Sequence, residues 1–260
     1  CALPIFDRMT EREKLRTLGV YFGTVAGNYD KAIENYRALV ERYPADGAGH
    51  NNLAVLYFRT LDFAKALEEG GRVLEIYPNS VLYRYNYALY AMYAGDFARA
   101  AEHARRAIAL NPATPKAYLA LAIAAAAGGD LAAAREAYAQ AAARAGERGA
   151  SLAAIGLADL AMYEGRFEEA VATLERGIAA DRAAGNQAAL AAKHVALAEA
   201  YQALGRSPMA LGGIGEARRL MRAPSVLVPA SAVLLAANRQ KDAEAIAAEL
   251  DQSLEAYAPA

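Results

Sequence analysis

Three prolines, Pro44, Pro78 and Pro112, stand 34 residues apart, twice in succession. Each closes an amphipathic run: AIENYRALVERYP, ALEEGGRVLEIYP and AAEHARRAIALNP. Proline at such a place stops a helix, because it lacks an N–H and drives the residue before it out of helical geometry. A second marker runs in phase with the first. A turn residue, a polar residue and an aromatic or Leu recur as Gly27-Asn28-Tyr29, Leu61-Asp62-Phe63, Gly95-Asp96-Phe97, Gly129-Asp130-Leu131 and Gly165-Arg166-Phe167. Weaker copies are Gly205-Arg206-Ser207 and Asn238-Arg239-Gln240. Glycine supplies the left-handed residue that ends one helix, and Asp or Asn then caps the next. In the sixth copy Ser207 is expected to cap, with Pro208 at the first helical position.

Alanine follows the aromatic three residues later: Ala32, Ala66, Ala100, Ala134 and Ala170, continued by Ala210 and Ala243. The preceding helix carries a matching small residue in Leu53-Ala54, Tyr87-Ala88, Leu121-Ala122, Leu157-Ala158 and Leu197-Ala198. In the first copy the pair is Leu18-Gly19, with one extra residue before the turn. Small residues at these positions let the two helices of a pair touch. One such pair cannot bury its apolar face alone, so stacked neighbours must share a continuous core.

This pattern of apolar-small, aromatic, Gly, Ala and Pro resembles the tetratricopeptide repeat. The resemblance implies an all-α fold, a right-handed α-solenoid of about seven antiparallel helix pairs. The expected repeats lie near 13–46, 47–80, 81–114, 115–150, 151–190, 191–223 and 224–257, forming one domain over 13–257. The fourth to sixth are stretched, and Asp181 to Asn186 should lengthen a helix or the loop after it. Pro229 is expected near the start of the seventh unit's first helix. Residues 1–12 are set apart as non-native sequence or a partial upstream helix. Cys1 to Phe6 in particular match what the end of a common sequencing adapter would encode.

In proteins with this repeat the first helix of each pair lines a concave inner face. That implies a protein or peptide partner contacting Asn51, Val55, Phe58 and Arg59 in the second repeat, and Tyr85, Leu89, Met92 and Tyr93 in the third. The fourth contributes Lys116, Leu119 and Ile123, and the fifth Ile155, Asp159, Met162 and Tyr163. Within a helix these spacings fall on one side. Tyr83, Tyr87 and Tyr90 form a second stripe, expected between helices. One subfamily clamps a C-terminal carboxylate with Lys, Asn and Arg. Here Val20 and Asn86 stand where Asn and Arg would be wanted beside Asn52, so no such clamp is expected.

Composition excludes several other readings. The net charge of −1 argues against general nucleic-acid binding, which needs a basic face. The single cysteine permits no internal disulfide, and no apolar run reaches the length of a membrane span. His50, His103 and His194 lie on different repeats and form no zinc pattern, so neither a metal nor a cofactor is expected. His50 is expected to face the groove or cap a helix. Leu211-Gly212-Gly213-Ile214-Gly215 lacks the Lys-Ser/Thr of a phosphate loop and reads as a weakened or kinked helix. Glu68-Glu69 and Glu168-Glu169 read as surface charges, and Arg218, Arg219 and Arg222 as a solvated helix end.

No catalytic constellation is present, and the expected role is an interaction scaffold rather than an enzyme. The stretches DRMTEREKLRTLG, YDKAIENYRALVERYPADGAGHNNLA and YALYAMYAGDFARAAEHARRAIALNP also resemble the C-terminal repeat region of bacterial eukaryotic-like serine/threonine kinases. That resemblance implies a sensory or docking region whose catalytic part lies upstream of residue 1. The expected compartment is the cytoplasm, or outside it if the repeats follow a membrane span. A missing eighth repeat would leave an uncapped apolar end and favour self-association.

Overall fold

A computed structural model describes residues 6–257, with side chains to residue 252; the expectation for Cys1 to Ile5 lies outside the described residues. Among the described residues every regular element is helical. The chain divides after Asp130 into two compact units. In the first, α1 (Glu11–Val20) runs into a wider-wound segment (Tyr21–Val25), followed by α2 (Tyr29–Arg42), α3 (Gly47–Arg59), α4 (Phe63–Ile76), α5 (Val81–Tyr93), α6 (Phe97–Leu110) and α7 (Pro115–Ala127). The second holds α8 (Leu131–Arg144), α9 (Gly146–Tyr163), α10 (Phe167–Ala183), α11 (Gln187–Ala203), α12 (Ser207–Leu220), α13 (Pro224–Ala236) and α14 (Gln240–Tyr257). Consecutive helices pack on one another within each unit, and first helices of adjacent pairs also meet, α5 on α7, α9 on α11 and α11 on α13. This is a helical-repeat solenoid architecture.

Local chemistry explains the breaks. Tyr43, Tyr77 and Asn111, each just before a marker proline, leave helical geometry at φ −130°, −128° and −150°. The seven turn residues, Gly27, Leu61, Gly95, Gly129, Gly165, Gly205 and Asn238, all have positive φ. Asn28, Asp62 and Asp96 each accept from the backbone N–H three residues on. The sixth cap differs from expectation. Arg206 is the capping position, without a side-chain bond, so Ser207 is already helical and Pro208 sits one step further in.

The paired small residues are buried: Ala54 and Ala66, Ala88 and Ala100 in the first unit, and Ala158 and Ala170, Ala198 and Ala210 in the second. The extra residue of the first copy is taken up inside the helix. Ala26 N–H reaches back five residues to the Tyr21 carbonyl, a π-type turn, and Gly27 then resumes the common phase.

Three boundaries shift. α9 begins at Gly146 and α11 at Gln187, four to five residues before the expected starts, so the extra residues lengthen helices. α10 runs to Ala183, leaving only a short turn at Gly185. Pro229 lies well inside α13, where its missing N–H removes one helical bond. The glycines at 212, 213 and 215 interrupt nothing, and α12 is continuous through them.

Candidate functional site

In the first unit, the inner-face candidates come together around Tyr93. Its ring lies 5.1 Å from Phe58, edge-on, and 5.7 Å from Phe63, stacked, while Phe58 also meets Tyr90 at 5.3 Å. Three helices, α3, α4 and α5, thus hold one aromatic platform. Tyr93 is 55% exposed. Phe63 and Tyr90 were not among the expected face residues. Phe63 belongs to the turn marker, and Tyr90 to the stripe expected between helices, where it is buried. Burial pushes the Tyr90 hydroxyl far above its ordinary pKa.

Further along the same helices, the Lys116 ammonium lies over the Tyr85 ring at 5.7 Å, joining α5 to α7. Tyr85 and Leu89 are half-buried, as is Leu119, while Ile123 is exposed. On α3, the Asn51 amide donates to Asn52, which donates to the Tyr36 hydroxyl at 3.0 Å. Val55 and Arg59 line a cavity of about 270 Å³ with Val20, Thr24 and Asn52. Arg59 is drawn over Tyr29 at 5.9 Å.

Met92 is a correction. It is buried in a small-residue cluster with Ala88, Ala91, Ala120 and Ala124, because alanine on the facing helices leaves room for a long flexible side chain. It is therefore not available to a partner.

The second unit holds its four candidates on α9. Ile155 and Met162 are half-buried, Asp159 is exposed, and Tyr163 is 80% exposed. Although Asp159 reaches solvent, the surrounding helices thin its hydration and raise the carboxyl above its ordinary pKa. The same loss of hydration, and then the Asp159 charge, raises Glu199, an exposed residue of α11 outside the expected face. Tyr138, under the same helices, is pushed up to about 12 by burial and by Asp159. Gly156 lets this ring in, since a Cβ there would stand 2.1 Å from it.

Several polar groups read as surface features are internal. His50 faces neither groove nor cap. It is buried, with Nδ1 against the Glu69 carboxylate and Nε2 at 2.9 Å from the Pro44 carbonyl. Glu69 is correspondingly buried rather than solvated, since its helix face points at α3. Arg84, one repeat on from His50, is also buried and donates to the Pro78 carbonyl. Its neighbour His103 occupies the place of Glu69, with its pKa lowered by burial and then by Arg84. Asp46 caps α3 through Gly49 N–H and accepts from Arg12 and Arg16. Burial acts to raise its pKa, but these donors outweigh it and hold the carboxyl below the ordinary range. In the second unit, fully buried Lys193 donates to Asp181 and, at 2.8 Å, to Ser151, whose hydroxyl donates to Asp181 at 3.1 Å. This network ties together the elongated helices α9, α10 and α11. Arg219 and Arg222 pair with Glu216 and Glu249.

Among the described residues no helix is long and apolar enough to cross a membrane, and no group of three or more His, Cys, Asp or Glu is placed to hold a metal ion.

The family models that match are both described as tetratricopeptide repeat, over residues 25–81 and 85–150 and over 153–183. No curated protein matches the sequence. Among solved structures, a tetratricopeptide repeat protein from Parabacteroides merdae is 17% identical with a TM-score of 0.65, over 93% of both chains. PilW, described as a widely conserved type IV pilus biogenesis factor, is 18% identical with a TM-score of 0.61, over 80% of this chain and 92% of its own. MamA is 20% identical with a TM-score of 0.57, over 66% and 92%. At these identities the likeness establishes the fold. With its matched repeats and its paired helices, the chain belongs to the tetratricopeptide-repeat proteins.

Proposed function

We propose that the chain is a protein-interaction scaffold that grips a peptide or helix of another protein along the inner face of its first helices. The single observation that carries this reading is Tyr93, more than half exposed yet braced by Phe58 and Phe63. A ring held in place before binding loses little conformational freedom on contact, and tyrosine adds a polar tip to a large apolar area. The second unit offers Tyr163, with Met162 and Ile155 beside it on the same helix.

Affinity capture with the wild-type chain beside Tyr85→Ala/Tyr93→Ala tests the assignment. Partners lost with the double variant support it. Partners retained equally by both remove the face from consideration. The resemblance to the kinase repeat region extends the same reading to a docking region of a larger enzyme. Sequencing the source gene upstream tests that extension through the presence or absence of kinase motifs.

A further inference from the structure

We infer that the segment held by the inner helices of the first unit is acidic: a stretch of another protein chain in which carboxylates flank apolar side chains. The inference rests on the scaffold reading above and gives its occupant a chemistry.

Helices α3, α5 and α7 contain no Asp or Glu. Their exposed cations are Arg59 and Lys116. The second helices of the same pairs are different. There cations have acids one turn away, as in Arg72–Glu68 on α4 and Arg106–Glu102 on α6. Among the described residues neither Arg59 nor Lys116 has an ion-pair partner, and each lies over a tyrosine ring instead. A ring steadies a cationic head without neutralising it, so its outward N–H groups remain free to donate. On α5, which lies between these two helices in repeat order, stands the exposed Tyr93.

An occupant that complements this row has negative charge for its ends and apolar surface for its ring. Charge complementarity of this kind selects the sign of the partner and speeds encounter, and a basic segment is repelled. Single-stranded nucleic acid also brings negative charge and stackable rings. It is disfavoured because tracking a phosphate backbone needs a continuous basic groove, and the chain as a whole carries a net charge of −1.

The test is to pan the full chain against a random displayed peptide library and to repeat the selection on two variants. One is Tyr85→Ala/Tyr93→Ala, and the other is Arg59→Glu/Lys116→Glu, whose changed side chains are exposed and whose fold is checked by circular dichroism. Sequences that depend on the two tyrosines should be enriched in Asp and Glu over the library. A synthetic copy of such a sequence should bind about tenfold more weakly when its acids become Gln, when salt is raised, and on the charge-reversed chain. Tyrosine-dependent sequences without an acidic excess overturn the inference and leave the scaffold reading standing. Sequences indifferent to the tyrosines, or no selection at all, overturn both. A labelled oligothymidylate that binds this face more tightly than the selected peptide overturns the inference in favour of nucleic acid.

Discussion

Asp181→Ala should destabilise the second unit by about 3–5 kcal/mol, the usual effect of leaving a buried charge without its partner. The size follows from the surroundings of Lys193. Its side chain has no exposure, and Asp181 is the carboxylate it touches. Without Asp181 the ammonium keeps only the Ser151 hydroxyl, a neutral acceptor at 2.8 Å. The stem cannot swing out to water, because Gly177 admits it so closely that a Cβ at 177 would stand 2.7 Å from Cε. Lys193→Met/Asp181→Leu removes both charges and keeps the stem. It should be within about 1 kcal/mol of wild type, or more stable, since burying the pair costs much of what its attraction returns. Urea denaturation followed by circular dichroism on wild type, Lys193→Met, Asp181→Leu and the double completes the cycle, with a coupling of at least about 2 kcal/mol expected. A single Asp181→Ala that costs less than about 1 kcal/mol, or a double variant as damaged as the worse single, refutes the reasoning.

Leu61→Gly should stabilise by up to about 1 kcal/mol, because Leu61 is left-handed at φ 63° and 73% exposed, so strain is relieved and little packing is lost; a lower melting temperature would contradict this. Gly156→Ala should cost about 1–3 kcal/mol by driving a methyl into Tyr138, whereas Gly212→Ala, which meets nothing within 4 Å, should gain about 0.5–1 kcal/mol of helix stability. Equal effects in thermal melts would mean that the close approach at Gly156 is wrong. His103→Glu should give Arg84 the carboxylate that His50 has in Glu69, raising stability by about 1–3 kcal/mol at neutral pH. Because burial and Arg84 lower the His103 pKa, the unfolded chain takes up the proton first. Stability should therefore fall with acidification below about pH 6.5, and His103→Gln should flatten that slope in melts taken across the range.

The repeat frame was readable because it depends on short-range backbone chemistry. A left-handed turn wants Gly, a helix start wants Asp or Asn, and a crossing point wants Ala, so residues such as Gly95, Asp96 and Ala100 declare their places without knowledge of the partner helix. Leu61 was placed by phase alone, and its positive φ shows that the frame overrides residue preference, whereas Asn238 tolerates that geometry by itself. The start of α11 carries the usual marker, Gly185 at φ 68° and the capping Asn186, but out of the 34-residue phase; the start of α9 has no such marker. No proline closes α8, and the break there is made by Gly146 at φ 60° within a run that reads as helical. Charge misled in a different way. Glu69 and Lys193 look like surface residues because their partners, His50 and Asp181, lie 19 and 12 positions away and become neighbours only when helices pack. A local signal existed for the second, since Gly177 clears space that only a long side chain fills. Met92 failed for the same reason: part of the alanine cluster that buries it, Ala120 and Ala124, comes from the next helix pair. Which residues share the inner face was expected from helical spacing, but the bracing of Tyr93 by Phe63 is a contact no periodicity encodes.

The wide turn at Tyr21–Val25 bears on how such an array can change length. A surplus residue is digested where it arises, in one swollen loop of backbone, and the next unit receives its cue at the usual place. Slips in the gene that add a codon within a helix can therefore be survived without renegotiating every later joint. An architecture with that tolerance can accumulate units of unequal size while each keeps its grip on the one before.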